Sequence, residues 1–404
     1  MRIALLSVSA AVGGSETSLL ALVRGLAAAP GVEPIVVLPR MGPLESRVRA
    51  AGAAARILPM PDALLGLGEW SMKSVGEIGR RGATLARALA ATRAHARALA
   101  DLLRDLRPDV VHSNGLKMHV LASRAAAPGV PIVWHIHDYL SPRRMSRILL
   151  RHYRRRASAI VANSRSVAAD LAGTLGAGLP ISTIYNAVDL DEFSPDGPAV
   201  DLDRLAGLPP APAGVCRVGL LATFARWKGH EVFLRAVRDA AAPLRAYVIG
   251  GPVYDTAGSQ HTIDALRARA SELGIADRVG FTGFVNRPSE ALRALDVVVH
   301  ASTEPEPFGL VIAEAMACGR AVVISRAGGA AELVADGVDA IATPPGDAGA
   351  LAAALDRCAA EPALRARLGA AARVTALRRF DPATFVHGFL EIYTALAREA
   401  GTPA

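Results

Sequence analysis

The sequence predicts an α/β protein made of two doubly wound, parallel-sheet domains facing each other across a cleft. Short, uninterrupted apolar runs alternate from end to end with longer stretches rich in Ala, Leu and Arg. Strands that are apolar throughout belong to parallel sheets covered by helices on both faces. The alternation pauses once, over the Pro-, Gly- and Asp-rich stretch 190–214, and then restarts. A length of 404 residues suits two domains. A composition that is 51% hydrophobic and 20% charged can fill two cores, and with aromatics at 4% these are built mainly from Ala, Val and Leu.

In the first half the strand-like runs are 2–10, 34–39, 109–113, 131–137, 159–163 and 181–185, separated by helical stretches such as 84–106. The second half repeats the pattern at 216–224, 245–251, 278–284, 297–301, 321–325 and 339–343. Residues 1–190 therefore form one domain, 191–214 a linker and 215–380 a second domain. Asp381-Pro382 starts a terminal helix over 381–404. The run after Arg2 imitates a short signal peptide, but it has strand length and helical sequence resumes at Glu16, so it reads as a buried first strand. No run approaches the ~18 uncharged apolar residues of a membrane span, and a cytoplasmic protein is expected. Cys216, Cys318 and Cys358 are too few and too scattered for a disulfide framework or a zinc site.

Charge is unevenly spread. Residues 1–190 hold 24 Lys and Arg against 12 Asp and Glu; the remainder holds 21 against 25. A basic front half fits an anionic partner, although arginine stems coating helices give the same count. A nucleic-acid binder is disfavoured, because no interleaved aromatics or known motif accompany the charge. Within 143–156 there are seven arginines and no acid, with Met145, Leu149 and Tyr153 at helical spacing. This segment reads either as a dock for anionic lipid or as an ordinary amphipathic surface helix.

In open parallel sheets ligands gather beyond the carboxyl ends of the strands, and the informative residues follow strands here. Gly13 and Gly14 open the first helix, where backbone can approach a phosphate; no G-x-G-x-x-G is present. Arg226 and Lys228 follow 216–224 and can hold a diphosphate, one as a planar fork and one as a point charge. The densest signal follows 297–301: Glu306, between Pro305 and Pro307, then Phe308, Gly309 and a helix that places Glu314 in its second turn. Carboxylates suit polyhydroxylated ligands, since each oxygen accepts two hydroxyl protons. Strand alternation puts His135 and His137 on one face, with His137 at the strand end. The Asp pairs at 189–191 and 201–203 read as solvated turn residues.

These motifs, in this order, closely resemble the retaining glycosyltransferases of family 4: GGSE at 13–16, HIHD at 135–138, VANS at 161–164, NAVD at 186–189, RWKG at 226–229, FTGFV at 281–285 and E-x7-E at 306–314. The resemblance covers nearly the whole chain. It implies the GT-B fold, with the C-terminal helix returning to the N-terminal domain. It implies that Arg226 and Lys228 stabilise a departing diphosphate, that Glu306 binds donor-sugar hydroxyls and that Glu314 holds the ribose. Phe308, Gly309, Leu310 and Val311 would supply backbone contacts, Val285 would lie against the base, Gly14 would approach the phosphates and His137 would touch the donor sugar. The family's usual Asn-Gly is Asn186-Ala187 here.

The expected reaction is retaining sugar transfer without a metal or other cofactor, from a nucleoside-diphosphate sugar (UDP first, GDP next) to a hydroxyl acceptor. Lipid-linked and polysaccharide-precursor acceptors both fit, with acceptor loops placed at 62–80 and 114–119. The expected location is cytoplasmic, with the inner membrane face as the site of any peripheral contact. Two alternatives compete: an NAD-linked oxidoreductase, which lacks its glycine fingerprint here, and a nucleotide-binding module that has lost catalysis.

Overall fold

The computed structural model describes residues 1–61, 64, 78–176, 178–252 and 258–401, with backbone alone for 78–89. Two compact units result: residues 1–187 with 382–404, and residues 188–381.

The first unit holds a sheet of seven strands among the described residues: β1 (Arg2–Ser7), β2 (Glu33–Leu38), β3 (Ala54–Ile57), β4 (Val110–Asn114), β5 (Ile132–Ile136), β6 (Ala159–Ala162) and β7 (Ile181–Thr183), in spatial order 3-2-1-4-5-6-7 and parallel throughout. The second unit repeats the plan with β8 (Cys216–Leu221), β9 (Leu244–Ile249), β10 (Val279–Gly283), β11 (Val297–His300), β12 (Ala321–Ser325) and β13 (Ile341–Thr343), ordered 10-9-8-11-12-13. Each order reverses direction once, between β1 and β4 and between β8 and β11. Helices diverge to opposite faces at such a reversal and leave a crevice beyond the strand ends. β3 was not anticipated: its sequence, AARI, lies at a sheet edge and carries little of the β-branched apolar signal that marks a central strand.

The stretch read as a linker, 191–214, is folded into the second unit. Its lack of regular pairing is offset by two arginines. Arg293 donates to the carbonyls of Glu192, Ser194 and Pro198, and Arg373 to those of Leu190 and Phe193. A short helix, Leu202–Ala206, follows, with Asp201 capping its first turn. Asp203 is not a solvated turn residue: it is buried, paired with Arg217 at 3.0 Å, and accepts from the Tyr247 hydroxyl at 2.8 Å.

The terminal helix, Pro382–Glu399, packs in the first unit against the helix Gly14–Ala28. It buries Phe385, Phe389 and Tyr393, and the Tyr393 hydroxyl lies 2.6 Å from Nδ1 of His112 on β4. Gly25 makes the close approach possible, since a Cβ there would meet Val386 Cγ2 at 2.2 Å. The expected acceptor loop 62–80 lies outside the described residues, apart from Leu64 and the backbone of 78–80. At 114–119 there is no extended loop, because the last residue of β4 runs through Gly115 into the helix Leu116–Ala125.

Alanine at two helical glycines should have opposite effects. Gly173 faces open space, and Gly173→Ala should stabilise by up to ~1 kcal/mol. Gly25→Ala should destabilise by about 1–3 kcal/mol through overpacking against Val386. Urea unfolding checks both; equal effects would remove the close-packing account of the returning helix.

Candidate active site

The second unit builds its site at the β8/β11 reversal. After β8 the chain makes a short 3₁₀ turn, Arg226–Lys228, and enters the helix His230–Asp239 through Gly229, whose φ is +77°. A Cβ on Gly229 would lie 1.8 Å from the carbonyl oxygen of Ala301, just past β11, so only glycine allows this approach. The backbone N–H of Thr303 donates to the Trp227 carbonyl at 2.7 Å. The two loops are thereby tied together, and Lys228 reaches Glu306: its Nζ stands 2.6 Å from Oε2 and 4.0 Å from the centre of the Trp227 ring.

Glu306 is buried. Its Oε2 also accepts from Ser302 Oγ at 3.1 Å and faces His300 Nε2 at 3.3 Å, while its backbone carbonyl accepts from Gly329 N–H at 2.7 Å. Burial by itself would raise this carboxyl; the Lys228 charge and the His300 hydrogen bond outweigh it and hold the group down at about 2. A depressed carboxyl contributes stability above its unfolded value near 4.5 and loses it as pH falls towards 2. Glu306 is therefore a fixed anion with a fixed cation beside it at neutral pH.

Three residues later Gly309, at φ +90°, opens the helix Leu310–Ala317. The first-turn N–H groups of a helix have no carbonyl of their own to bond and carry the positive end of its dipole. Gly309 adds no side chain there, and Leu310 and Val311 are half-buried. The Phe308 side chain turns inward, 3% exposed and edge-on to Phe380, so its contribution to the crevice is through backbone. Glu314 behaves oppositely to Glu306: burial, with repulsion from Glu192 added, pushes it up to about 8. It keeps its proton between pH 4.5 and 8, where an unfolded carboxyl would lose it, and its contribution to stability falls across that window.

Arg226 is held elsewhere. Its Nε donates to the Gly258 carbonyl at 2.9 Å and its backbone N–H to the Ser259 carbonyl at 3.0 Å, which turns it to the loop before the helix Ile263–Glu272. Val285, half-buried, follows β10 beside the exposed Phe284.

In the first unit His137 follows β5 and is half-buried, with Nε2 2.6 Å from Asn114 Oδ1, so that nitrogen carries the donated proton. Burial lowers His137 to about 4, which makes it a neutral imidazole at physiological pH. Its ring centre is 4.0 Å from that of His135, which is wholly buried. Asn114 also reaches the Ser15 carbonyl at 3.5 Å, linking His137 to the turn that carries Gly14. There Glu16 accepts from Gly13 N–H at 3.2 Å and fixes the helix start. The motifs VANS and NAVD have structural work as well: Asn163 donates to the His137 carbonyl, Ser164 caps the helix Arg165–Leu175, and Asn186 accepts from Ser18 inside the core.

The structure thus brings Lys228, Glu306 and Gly309 together, and separately His137 and Gly14 through Asn114. His300 and Ser302 are not singled out by the sequence, and Asn114 is read there only as the start of an acceptor loop, not as the partner of His137. A polar residue closing an apolar strand is the available signal, and it was applied only to His137. The three cysteines are buried, with thiols pushed up to between about 11 and about 12 by burial. Among the described residues no group of three or more His, Cys, Asp or Glu is arranged to hold a metal ion, and no helix is long and apolar enough to cross a membrane.

Comparison with known proteins places this geometry in a family. Residues 12–192 match the model for Glycosyltransferase Family 4, and residues 217–375 that for Glycosyl transferases group 1. The chain is 35% identical to a D-inositol 3-phosphate glycosyltransferase of Xylanimonas cellulosilytica, over 59% of its own length and 57% of that relative's. It is 33% identical to the protein of the same name from Streptomyces scabiei, over 71% and 68%. A GDP-mannose-dependent alpha-(1-6)-phosphatidylinositol monomannoside mannosyltransferase of Mycolicibacterium smegmatis is 30% identical, over 64% and 68%. Among solved structures, Anabaena HepE in complex with UDP-glucose is 26% identical with a TM-score of 0.79, covering 98% of this chain and all of HepE. Sucrose-phosphate synthase from Thermosynechococcus elongatus shares the fold at the same TM-score and 21% identity. Two parallel-sheet units, a helix that returns from the C-terminus and these matches together establish that the chain is a GT-B-fold member of the family 4 glycosyltransferases.

Proposed function

We propose that the protein transfers a sugar from a nucleoside-diphosphate sugar to a hydroxyl acceptor with retention of anomeric configuration and without a metal ion. The observation that carries this reading is the Lys228–Glu306 pair beside the helix start at Gly309, at the one place in the second sheet where strand order reverses. The bond between the anomeric carbon and the β-phosphate oxygen breaks, the acceptor oxygen bonds to that carbon from the same face, and the acceptor proton passes to the departing diphosphate. Lys228 has three N–H donors, so it can keep Glu306 and also meet a phosphate oxygen. With the first-turn N–H groups it offers positive charge where negative charge develops, the role a divalent metal would otherwise fill. Glu306, already ionised, accepts sugar hydroxyls.

UDP-sugars are the first choice of donor, in line with HepE and its bound UDP-glucose, and GDP-sugars the second, in line with the mannosyltransferase relative. The names of two relatives contain D-inositol 3-phosphate and phosphatidylinositol monomannoside, both phosphate-bearing, and the basic first half of this chain suits a phosphate-bearing acceptor. His137, neutral and fixed by Asn114, can bond a sugar hydroxyl. Arg226 spends only its Nε–H on the Gly258 carbonyl, so its remaining guanidinium N–H groups can join the diphosphate. Family membership sets aside the oxidoreductase alternative.

Lys228→Ala and Glu306→Gln should each lower donor turnover, read as nucleotide release from the cognate nucleotide-sugar, by about a hundredfold or more, with circular dichroism unchanged and wild-type turnover insensitive to EDTA. Near-normal rates in both folded variants would refute the role of the pair. Glu314 yields a second expectation. If its carboxylate accepts the ribose hydroxyls, nucleotide binding at neutral pH must expel the proton that burial retains. Calorimetric titration in two buffers of different ionisation enthalpy should show this release in the wild type and lose it in Glu314→Gln. Identical buffer dependence in both proteins would place Glu314 away from the ribose.

A further inference from the structure

The first unit carries a surface apart from the residues described above. On the helix Arg144–Tyr153, Met145, Ile148 and Leu149 are 61%, 59% and 43% exposed, whereas Leu150 is fully buried. At about 100° per residue these three fall within an arc of about 100°, and Arg144, Arg147 and Arg151 form a band along one flank. The sequence suggests Tyr153 for the apolar strip; instead Tyr153 is half-buried and its hydroxyl accepts from Arg124 at 2.9 Å. That bond joins the helix to a cavity of about 290 Å³ lined by Arg93, Ala96, Arg97, Ala100 and Arg124. Among the described residues no carboxylate lines it. Among the described residues no acid pairs with Arg93, Arg97, Arg144, Arg147 or Arg151, and Arg143 alone of the 143–156 arginines is paired with an acid, Asp138.

We infer that this face docks on a bilayer bearing anionic lipids, with Met145, Ile148 and Leu149 entering the headgroup–acyl boundary and the Arg93–Arg97–Arg124 cavity receiving a lipid phosphate. The two halves of the surface support each other. An arginine band alone would suit any polyanion, and an apolar strip alone would suit another protein. An exposed apolar strip flanked on its own helix by arginines without acidic partners matches an anionic interface, where charge meets headgroups and alkyl side chains displace water from the acyl boundary. All of these residues belong to the first unit, so the surface is independent of the donor assignment.

Full-length protein should co-sediment with phosphatidylglycerol–phosphatidylcholine vesicles and only weakly with phosphatidylcholine vesicles. Met145→Ser/Ile148→Ser/Leu149→Ser and Arg93→Gln/Arg97→Gln/Arg124→Gln should each weaken retention about tenfold or more, while donor turnover in solution stays at the wild-type level. Should either triple variant fail to fold, Ile148→Trp supplies an independent reading: the emission of the introduced indole should move to the blue on the mixed vesicles. Equal retention on the two vesicle types would overturn the inference. So would wild-type retention by both triple variants. A water-like indole emission from Ile148→Trp, combined with equally tight binding to heparin, would also overturn it and make the face a soluble-polyanion site.

Discussion

A carboxylate taken out of water must be neutralised by a proton or by a neighbouring charge, and Glu306 has the second solution. Burial pushes its pKa up; Lys228 and His300 together pull it well below the usual carboxylate range, and Ser302 donates a further hydrogen bond to the same oxygen. The surrounding structure serves this balance. Gly229 brings the Lys228 turn against the end of β11, Thr303 holds it there, and Gly329 fixes the Glu306 backbone. Breaking a buried pair by removing one partner costs roughly 3–5 kcal/mol, because the other charge is left without compensation. The pair is thus a fixed dipole at the crevice, set before any ligand arrives. Preorganised charge of this kind is effective because no reorganisation is needed as the reaction proceeds.

The two units solve the same problem with different chemistry. The second unit places its polar residues beyond β8 and β11, the strands that flank its reversal of sheet order, whereas the first has Gly14 after β1, Asn114 at the end of β4 and His137 after the next strand, β5. The second unit uses ionised groups there. The first uses neutral ones, with His137 bonded to Asn114 and three further histidines, His112, His119 and His135, kept uncharged by burial. These histidines bind protons more readily once unfolded, so the first unit should lose stability as pH falls below 6.5. The returning helix is part of the arrangement, since Tyr393 and Phe389 lie against His112.

The two-unit plan was legible because parallel strands buried on both faces leave uninterrupted apolar runs, and because a Pro/Gly-rich stretch separates two such series. Strand ends were overrun at 2–10 and 216–224, since the loops carrying Gly13 and Lys228 begin with small apolar residues that continue the strand pattern. The Glu306 loop was legible because two prolines and a phenylalanine around an acid are unusual in a solvated turn. Its support was not. His300 reads as the end of an apolar run and Ser302 as a turn residue, and only the fold shows both on one carboxylate oxygen. Asp203 was misread for the related reason that its partners, Arg217, Tyr247 and Arg245, come from strands up to 44 residues away. Arg226 pairs with Lys228 by spacing and by the family motif, and nothing in the sequence signals that its Nε bonds the Gly258 carbonyl. The segment 191–214 reads as a linker because its first carbonyls, as far as Pro198, are satisfied by Arg293 and Arg373 rather than by a ladder, which leaves no periodicity to read.

If paired charge at the β8/β11 crevice is what grips the donor, then the diphosphate, and not the nucleoside, must carry most of the binding. The direct measurement is the thermal midpoint of the full chain titrated with UDP, UDP-glucose, GDP, GDP-mannose and the free nucleosides uridine and guanosine. Saturating ligand that binds only the folded state raises stability by an amount set by its affinity. The account predicts a clear rise with one diphosphate series and none with the matching nucleoside, the rise being lost in Lys228→Ala. A rise of the same size with diphosphate and nucleoside, or one that survives Lys228→Ala, would contradict it.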